Sequence, residues 1–328
     1  MTRSVEETCT AKPQSAEPAE RIIGRYTGEE GGPLLVCLGG IHGNEPAGIR
    51  ALEIVFNLLD VEPQINPHFS FRGRLLGLRG NMQAIARGER FIERDLNRLW
   101  TRENIEWVRR QPRESLQAEY RELHDLIDLI EREIKEYKPE RFFLLDLHTT
   151  TAHGGIFSVV SDDPESVRIA VELHAPVIKG LLQGIRGTSL HYFNSENFDN
   201  HAVAIAFESG QHDDPLSINR AIAAITNCLR SIGCVRADDV ENRHDELLIE
   251  YSKNLPRVAQ LITTHSIHPG DNFRMAPNFD NFQPVKRGEL LAYDKNGAIY
   301  AEADGRILMP LYQKQGDDGF FLIRPLDY

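Results

Sequence analysis

The stretch PLLVCLGGIHGNE, residues 33–45, decides how the chain is read. Its first half is a short, unbroken apolar run, the mark of a strand buried on both faces, and Gly39-Gly40 turns that strand into a loop. The loop carries His42 and, three residues on, Glu45. Open α/β sheets place their sites at such strand ends. Imidazole with carboxylate suits zinc, and a catalytic zinc takes three protein ligands and keeps one position for water. A third ligand is therefore expected from another strand end.

Working outward, RFFLLDL at 141–147 is a second buried run. Residues 71–78 and 202–207 read as further strands, and 47–59 and 216–231 as helices. Between 116 and 137 apolar residues recur at spacings of four and three, from Leu116 to Tyr137, with Leu126 and Leu129 widening the stripe. That width predicts a core-facing helix, where a dimer seam would be narrower and longer. Strands alternating with helices imply an α/β sheet covered on both faces. After about residue 238 short apolar runs are divided by turn signals, Asn296-Gly297 being a hairpin signal. Two domains are expected: an α/β catalytic domain at 1–238 and a smaller β-rich domain at 239–328.

The bulk composition excludes several classes. Acidic residues number 49 against 37 basic ones, a net charge of −12. Such a surface repels a phosphate backbone, so nucleic acid is not an expected partner. No window is apolar enough to span a bilayer, and the polar N-terminus lacks the apolar core of a signal peptide, so a cytoplasmic protein with a flexible start is expected. Cys9, Cys37, Cys228 and Cys234 form no C-x-x-C pair. Cys37, inside the apolar run, reads as a small core residue. The oligomeric state is left open between monomer and homo-oligomer.

The third ligand is supplied by Asp146-Leu147-His148, directly after the run at 141–147. His148 completes a set of His42, Glu45 and His148 for one zinc per chain. Alternation along a strand puts Asp146 on the same side as His148, where it can orient the imidazole through its other nitrogen. A bare H-x-x-E is common by chance, and His42 as a turn residue and His148 as a satisfied histidine are the bland alternative. A zinc hydrolase also needs a general base. Glu208, at the end of the run 202–207, is the best candidate, although on that residue alone a helix-capping carboxylate is at least as good a reading. Residues 87–113 hold eight arginines, no lysine and five acids. Arginine suits bidentate grip of a carboxylate. The four-residue rhythm of Arg90, Arg94, Arg98 and Arg102 also fits a solvated helix face, to which Arg94 and Arg102 are left.

Taken in order, GGIHGNE, RFIERDLNR, DLHTT and FESG resemble the succinylglutamate desuccinylase/aspartoacylase family, relatives of the zinc carboxypeptidases. The resemblance spans about residues 34–210 and is looser beyond. It implies a zinc carboxypeptidase-like mixed sheet flanked by helices, with a smaller β-rich C-terminal domain that narrows the channel to the site. By resemblance His42, Glu45 and His148 fall on the zinc ligands and Glu208 on the catalytic glutamate. Arg90 falls on the arginine that stabilises the oxyanion, and Asn97 and Arg98 on the pair that binds the substrate carboxylate. Tyr312 lies near where aspartoacylases carry a substrate tyrosine.

One departure bears on the substrate. Aspartoacylases place a tyrosine and an arginine before the catalytic glutamate, and the corresponding SLHYFNSENFDNHAVAIAFE has no arginine. His191 and Tyr192 are candidate substitutes there, and ordinary loop residues on an equal footing. The expected activity is a zinc-dependent amidohydrolase, a deacylase of small anionic N-acyl amino acids. The alternatives are a zinc carboxypeptidase acting on short peptides and a non-catalytic protein that kept the fold. The last predicts a missing ligand or base, and none is missing.

Overall fold

The computed structural model describes residues 20–161, 163–198, 201–239 and 243–326. Cys9 and the rest of residues 1–19 lie outside them. In chain order the strands are β1 (Ile22–Thr27), β2 (Glu30–Gly39), β3 (Arg72–Arg79), β4 (Phe142–Thr150), β5 (Phe157–Val160), β6 (Val177–Lys179), β7 (Val203–Gln211) and β8 (Val258–Ser266). The C-terminal part adds β9 (Arg274–Met275), β10 (Pro284–Val285), β11 (Leu290–Asp294), β12 (Gly297–Tyr300), β13 (Gly305–Leu308) and β14 (Asp318–Pro325).

Among the described residues eleven strands form one mixed sheet, ordered β1-β3-β2-β4-β7-β5-β6-β8-β14-β13-β10, and β12-β11-β9 form a small second one. The centre, β3-β2-β4-β7, is parallel. β2 shows why its apolar run has no polar alternation. Leu34, Val36 and Leu38 join a core on one face with Leu123, Leu126, Ile127 and Ile130 of the helix Ala118–Tyr137. Leu35 and Cys37 point the other way, into a core with the helices Ala47–Ile65 and Leu216–Ser231. A strand buried on both faces has no position left for a polar side chain. The expected α/β architecture and the core-facing helix are therefore what forms. Cys37 is fully buried, and burial, with Cys228 and Cys234 nearby, pushes its thiol well above the usual range, as suits a core residue.

Boundaries differ from expectation at the first helix, at β4 and at β7, which runs four residues past 207, through Glu208, to Gln211. The first helix runs six residues past 59, to Ile65, over a largely exposed end that carries no apolar period. β4 continues to Thr150, so His148 lies within the strand and not beyond it. The cause is pairing: the β4–β7 ladder extends through His148 opposite Glu208.

The expected hairpin at 296–297 joins β11 to β12. A separate hydrophobic cluster, including Met275, Phe279, Leu291, Ile307 and Phe320, lies wholly within the β-rich part. β8 pairs in parallel with β6 and so welds that part to the main sheet. We propose domains at 1–238 and 239–328 that share this sheet. No helix among the described residues is long and apolar enough to cross a membrane.

Candidate active site

Strand ends and close backbone packing bring the site together. Where β2 ends, Gly40 adopts φ +74°, a conformation glycine takes without strain. Gly43 then passes so near Ala84 that a Cβ would lie 2.1 Å from its carbonyl carbon. These two glycines let the loop fold back over the sheet and present His42 and Glu45. His148 arrives from the parallel neighbour β4, and Glu208 from β7 directly beside it.

His42, Glu45 and His148 are all buried, and one ligand atom from each lies within 4.8 Å of the others. His42 Nδ1 is 2.8 Å from Glu45 Oε1, and His148 Nδ1 is 3.2 Å from Glu45 Oε2. The opposite nitrogens meet other carboxylates. His42 Nε2 is 3.1 Å from Asp95 Oδ1. His148 Nε2 is 3.1 Å from Asp146 Oδ1, though not aligned as a hydrogen bond. Thus Asp146 stands where the sequence put it. Asp95 was missed, although it sits inside RFIERDLNR. Burial alone would raise the Glu45 carboxyl, yet His42 and His148 hold it well below the usual range. Burial alone would lower His148, yet Asp146 and Glu45 hold it well above.

Arg90 is nearly enclosed. Its Nη2 donates to Asp95 Oδ2 at 3.0 Å and its Nη1 to Glu45 Oε1 at 3.4 Å. Burial raises the Asp95 carboxyl, but Arg90 and His42 hold it well below the carboxylate range. The loop carrying Arg90 and Asp95 is fixed from below by Glu119, a second residue the sequence did not disclose. Glu119 accepts the backbone N–H groups of Ile92, Glu93 and Arg94 and the Asn81 side-chain amide, at 2.7 to 3.1 Å. Arg102 is exposed on a helix and pairs with Glu106 four residues on, the solvated helix face anticipated for it, whereas Arg94, also exposed, lies in a bend outside any helix, with its guanidinium over the Tyr120 ring.

Glu208 is buried, and its Oε2 has no hydrogen-bond partner. Burial raises its pKa to about 7 against the lowering pull of His148. His42, Glu45, Arg90, Asn97, Arg98, His148 and Glu208 all line one cavity. Asn97 accepts the Ser189 N–H at its Oδ1, so what it can offer the cavity is its Nδ2 donor pair. The Arg98 guanidinium meets the Asp318 carboxylate of β14. His212, four residues beyond Glu208, also lines the cavity, with Nδ1 2.7 Å from Thr149 Oγ1 and Nε2 unpartnered.

The structure does not bring His191, Tyr192 or Tyr312 into this cavity. His191 Nδ1 is taken up by Thr188 and its Nε2 by the Leu182 carbonyl, so both ring nitrogens close the loop on itself. The Tyr192 hydroxyl donates to Glu131 outside the cavity. Tyr312 is 41% exposed and its hydroxyl bonds the backbone of Phe279 and Ala276.

The sheet and its strand-end cluster define a mixed α/β protein whose large sheet is flanked by helices and carries a His-Glu-His group able to hold a metal ion. Residues 31–232 match the succinylglutamate desuccinylase/aspartoacylase catalytic domain, and the chain belongs to that family. It is 26% identical over 288 residues to a succinylglutamate desuccinylase of Idiomarina loihiensis, covering 84% of this chain and 77% of the relative. Similar solved structures include a succinylglutamate desuccinylase/aspartoacylase from Rhodobacter sphaeroides, with TM-score 0.61, 15% identity, and 90% and 87% of the two chains covered. The Vibrio cholerae succinylglutamate desuccinylase gives TM-score 0.59 and 19% identity over 90% and 82%. At such identities these structures speak for the fold.

Proposed function

We propose that the protein is a zinc-dependent deacylase that hydrolyses the amide bond of a small N-acyl amino acid. The observation that carries the proposal is the meeting of His42, Glu45 and His148 with Glu208 and Arg90 around one cavity. The donor set suits zinc: two imidazole Nδ1 atoms converge on one carboxylate, and carboxylates stand behind both rings. Held there, zinc would supply a Lewis acid that polarises the amide and activates water.

The chain's own groups divide the remaining work. Ionised Glu208, with one oxygen free, takes the proton of the attacking water and passes it to the leaving amine nitrogen. Arg90, already fixed by Asp95 and Glu45, donates to the oxygen on which negative charge develops. Arg98 and Asn97 grip the substrate carboxylate, the planar fork matching its two oxygens. Met309, Leu311, Asp318 and Phe321 of the C-terminal part also line the cavity. Walls from both parts of the chain suit a small molecule better than an extended peptide, which favours a deacylase over a carboxypeptidase.

The test is metal analysis of the purified protein together with hydrolysis of a panel of N-acyl amino acids and short peptides. About one zinc per chain and turnover of the acyl amino acids are expected. Peptides cleaved in preference would overturn the substrate class, and full activity after exhaustive chelation would overturn the metal.

A further inference from the structure

Resting on the deacylase reading, we propose that the substrate carries one carboxylate and one apolar arm, and that the wall formed by Leu181, Leu182, Ile185, Leu190 and Phe321 receives the arm. All five side chains line the cavity that holds Glu208 and Arg98. Their placement beside the carboxylate grip follows from backbone contacts. Trp100 N–H donates to the Gly187 carbonyl at 3.0 Å. Gly187, at φ +69°, lies so close that a Cβ would stand 2.2 Å from the Arg98 carbonyl oxygen. Ser189 donates its N–H to Asn97 Oδ1 at 3.1 Å and its hydroxyl to Asp146 Oδ2 at 2.5 Å. The loop bearing Ile185 and Leu190 is thus pinned to the segment that carries Asn97 and Arg98, and to the strand that carries His148.

The five side chains of that wall offer nothing to a second carboxylate, and the unpartnered Nε2 of His212, elsewhere on the cavity, sits on a ring that burial holds toward its neutral form. Among the described residues lining the cavity, the arginines are Arg90 and Arg98, and there is no lysine. Arg90, held by Asp95 and Glu45, is assigned to the reacting oxygen and so is not free for a second carboxylate. Arg186, on the wall's own loop, is exposed and does not line the cavity. His191 turns both ring nitrogens to its own loop. Asp317 and Asp318 add like charge at the cavity instead. A carboxylate pressed against Leu182 and Leu190 would lose its hydration with no cation in exchange, whereas an apolar arm gains from the same desolvation. The arm can come from the acyl group or from the amino-acid side chain, since both flank the scissile amide.

Zinc-loaded full-length Glu208→Gln protein, whose turnover is expected to be about 10²–10⁴-fold slower, provides the direct test by calorimetry. The probes are N-acetyl-glycine, N-hexanoyl-glycine, N-acetyl-leucine, N-acetyl-aspartate and N-succinyl-glutamate. N-hexanoyl-glycine or N-acetyl-leucine should bind at least about tenfold tighter than N-acetyl-glycine, the scale of added methylenes in an apolar pocket. Whichever is tighter assigns the arm to acyl group or side chain, and both dicarboxylates should bind weakest. Leu182→Ala, at a partly exposed place on the wall, should erase most of the apolar preference, and Leu182→Arg should turn it toward the dicarboxylates. Dicarboxylates binding as well as or better than the apolar probes would overturn this inference and leave the deacylase reading standing. Failure of the wild-type enzyme to turn over any of the five would overturn the deacylase reading itself.

Discussion

The guanidinium of Arg98 meets the carboxylate of Asp318, a residue 220 positions further along the chain on β14. The pair is mostly buried, with 22% and 12% of the two side chains exposed. Burial raises the Asp318 carboxyl, and Arg98 pulls it down. If Arg98 grips the substrate carboxylate, Asp318 occupies its fork beforehand and must give way. Asp318→Asn removes a competing charge from the seat, so KM for an anionic substrate should fall several-fold while kcat changes little. Steady-state kinetics decide it: a raised KM would show that Asp318 serves to present the arginine.

Asp95 binds both His42 Nε2 and Arg90, and so joins the proposed metal group to the arginine proposed to stabilise the oxyanion. A carboxylate behind a ligating imidazole fixes its ring and raises its basicity, and losing it costs roughly 10–100-fold in metal affinity. Asp95→Asn should therefore weaken zinc in a chelator competition by that factor and also lower kcat, because Arg90 loses its anchor. Arg90→Ala should lower kcat more than it raises KM and leave zinc affinity near normal. Equal zinc affinity in wild type and Asp95→Asn would remove Asp95 from the metal's support.

The legibility of this site followed the physics of each residue. His42, Glu45 and His148 sit at the ends of apolar runs, which are legible because buried parallel strands tolerate nothing else, whereas Glu208, also at such an end, was singled out over a helix-capping carboxylate only by the family resemblance. Asp146 followed from alternation along one strand. Asp95 and Glu119 were hidden because their partners are set by tertiary packing. Glu119 looks like any acid in the first turn of a helix, and only the fold brings Ile92, Glu93 and Arg94 onto its oxygens. His191 carried a plausible residue type, but its nitrogens were claimed by Thr188 and Leu182, a local closure that no spacing reveals. The sharing of one sheet by both halves of the chain was equally out of reach, since β6–β8 pairing leaves no mark in either strand.

Glu119 gives a prediction of its own. Both its oxygens are used, Oε1 by Ile92 and Asn81 and Oε2 by Glu93 and Arg94. In Glu119→Gln one oxygen becomes an amide that can only donate, set against N–H groups that also only donate. Hydrogen bonds to a charged acceptor contribute about 1.5–3 kcal/mol each and are not additive, so a loss of about 2–4 kcal/mol in urea unfolding is expected. kcat/KM should drop because the Arg90–Arg98 segment loosens, and zinc affinity at the proposed ligands should weaken with it, because Asp95 of that segment stands behind His42. Unchanged stability would mean water replaces the carboxylate without cost.

Glu208 joins stability to function through its proton. Its ordinary value of 4.5 is raised to about 7, chiefly by burial, with Glu45 also raising it and His148, His42 and Arg90 opposing. The raised value means that the fold favours the neutral carboxyl. Its contribution to stability is fully present below the unfolded pKa and is lost as pH rises through about 7. In the chelated protein Glu208→Gln should therefore match wild type near pH 4.5 and be more stable by a few kcal/mol at pH 8, at about 1.4 kcal/mol per pH unit. Thermal unfolding at the two pH values measures this difference. The proposed general-base role asks for the opposite form, because only the ionised carboxylate can accept a proton. kcat/KM should fall as pH drops through the Glu208 pKa, and a cation at His42, Glu45 and His148 favours ionisation, so that acid limb lies at or below about pH 7. At pH 8 Glu208→Gln should keep its zinc yet lose about 10²–10⁴-fold in kcat. A variant that is both more stable and nearly inactive would show that the protein sustains a costly buried charge for the sake of the reaction. If the variant instead gains no stability above pH 7, the carboxylate is better solvated than its unpartnered Oε2 implies, and the acid limb must belong to another group.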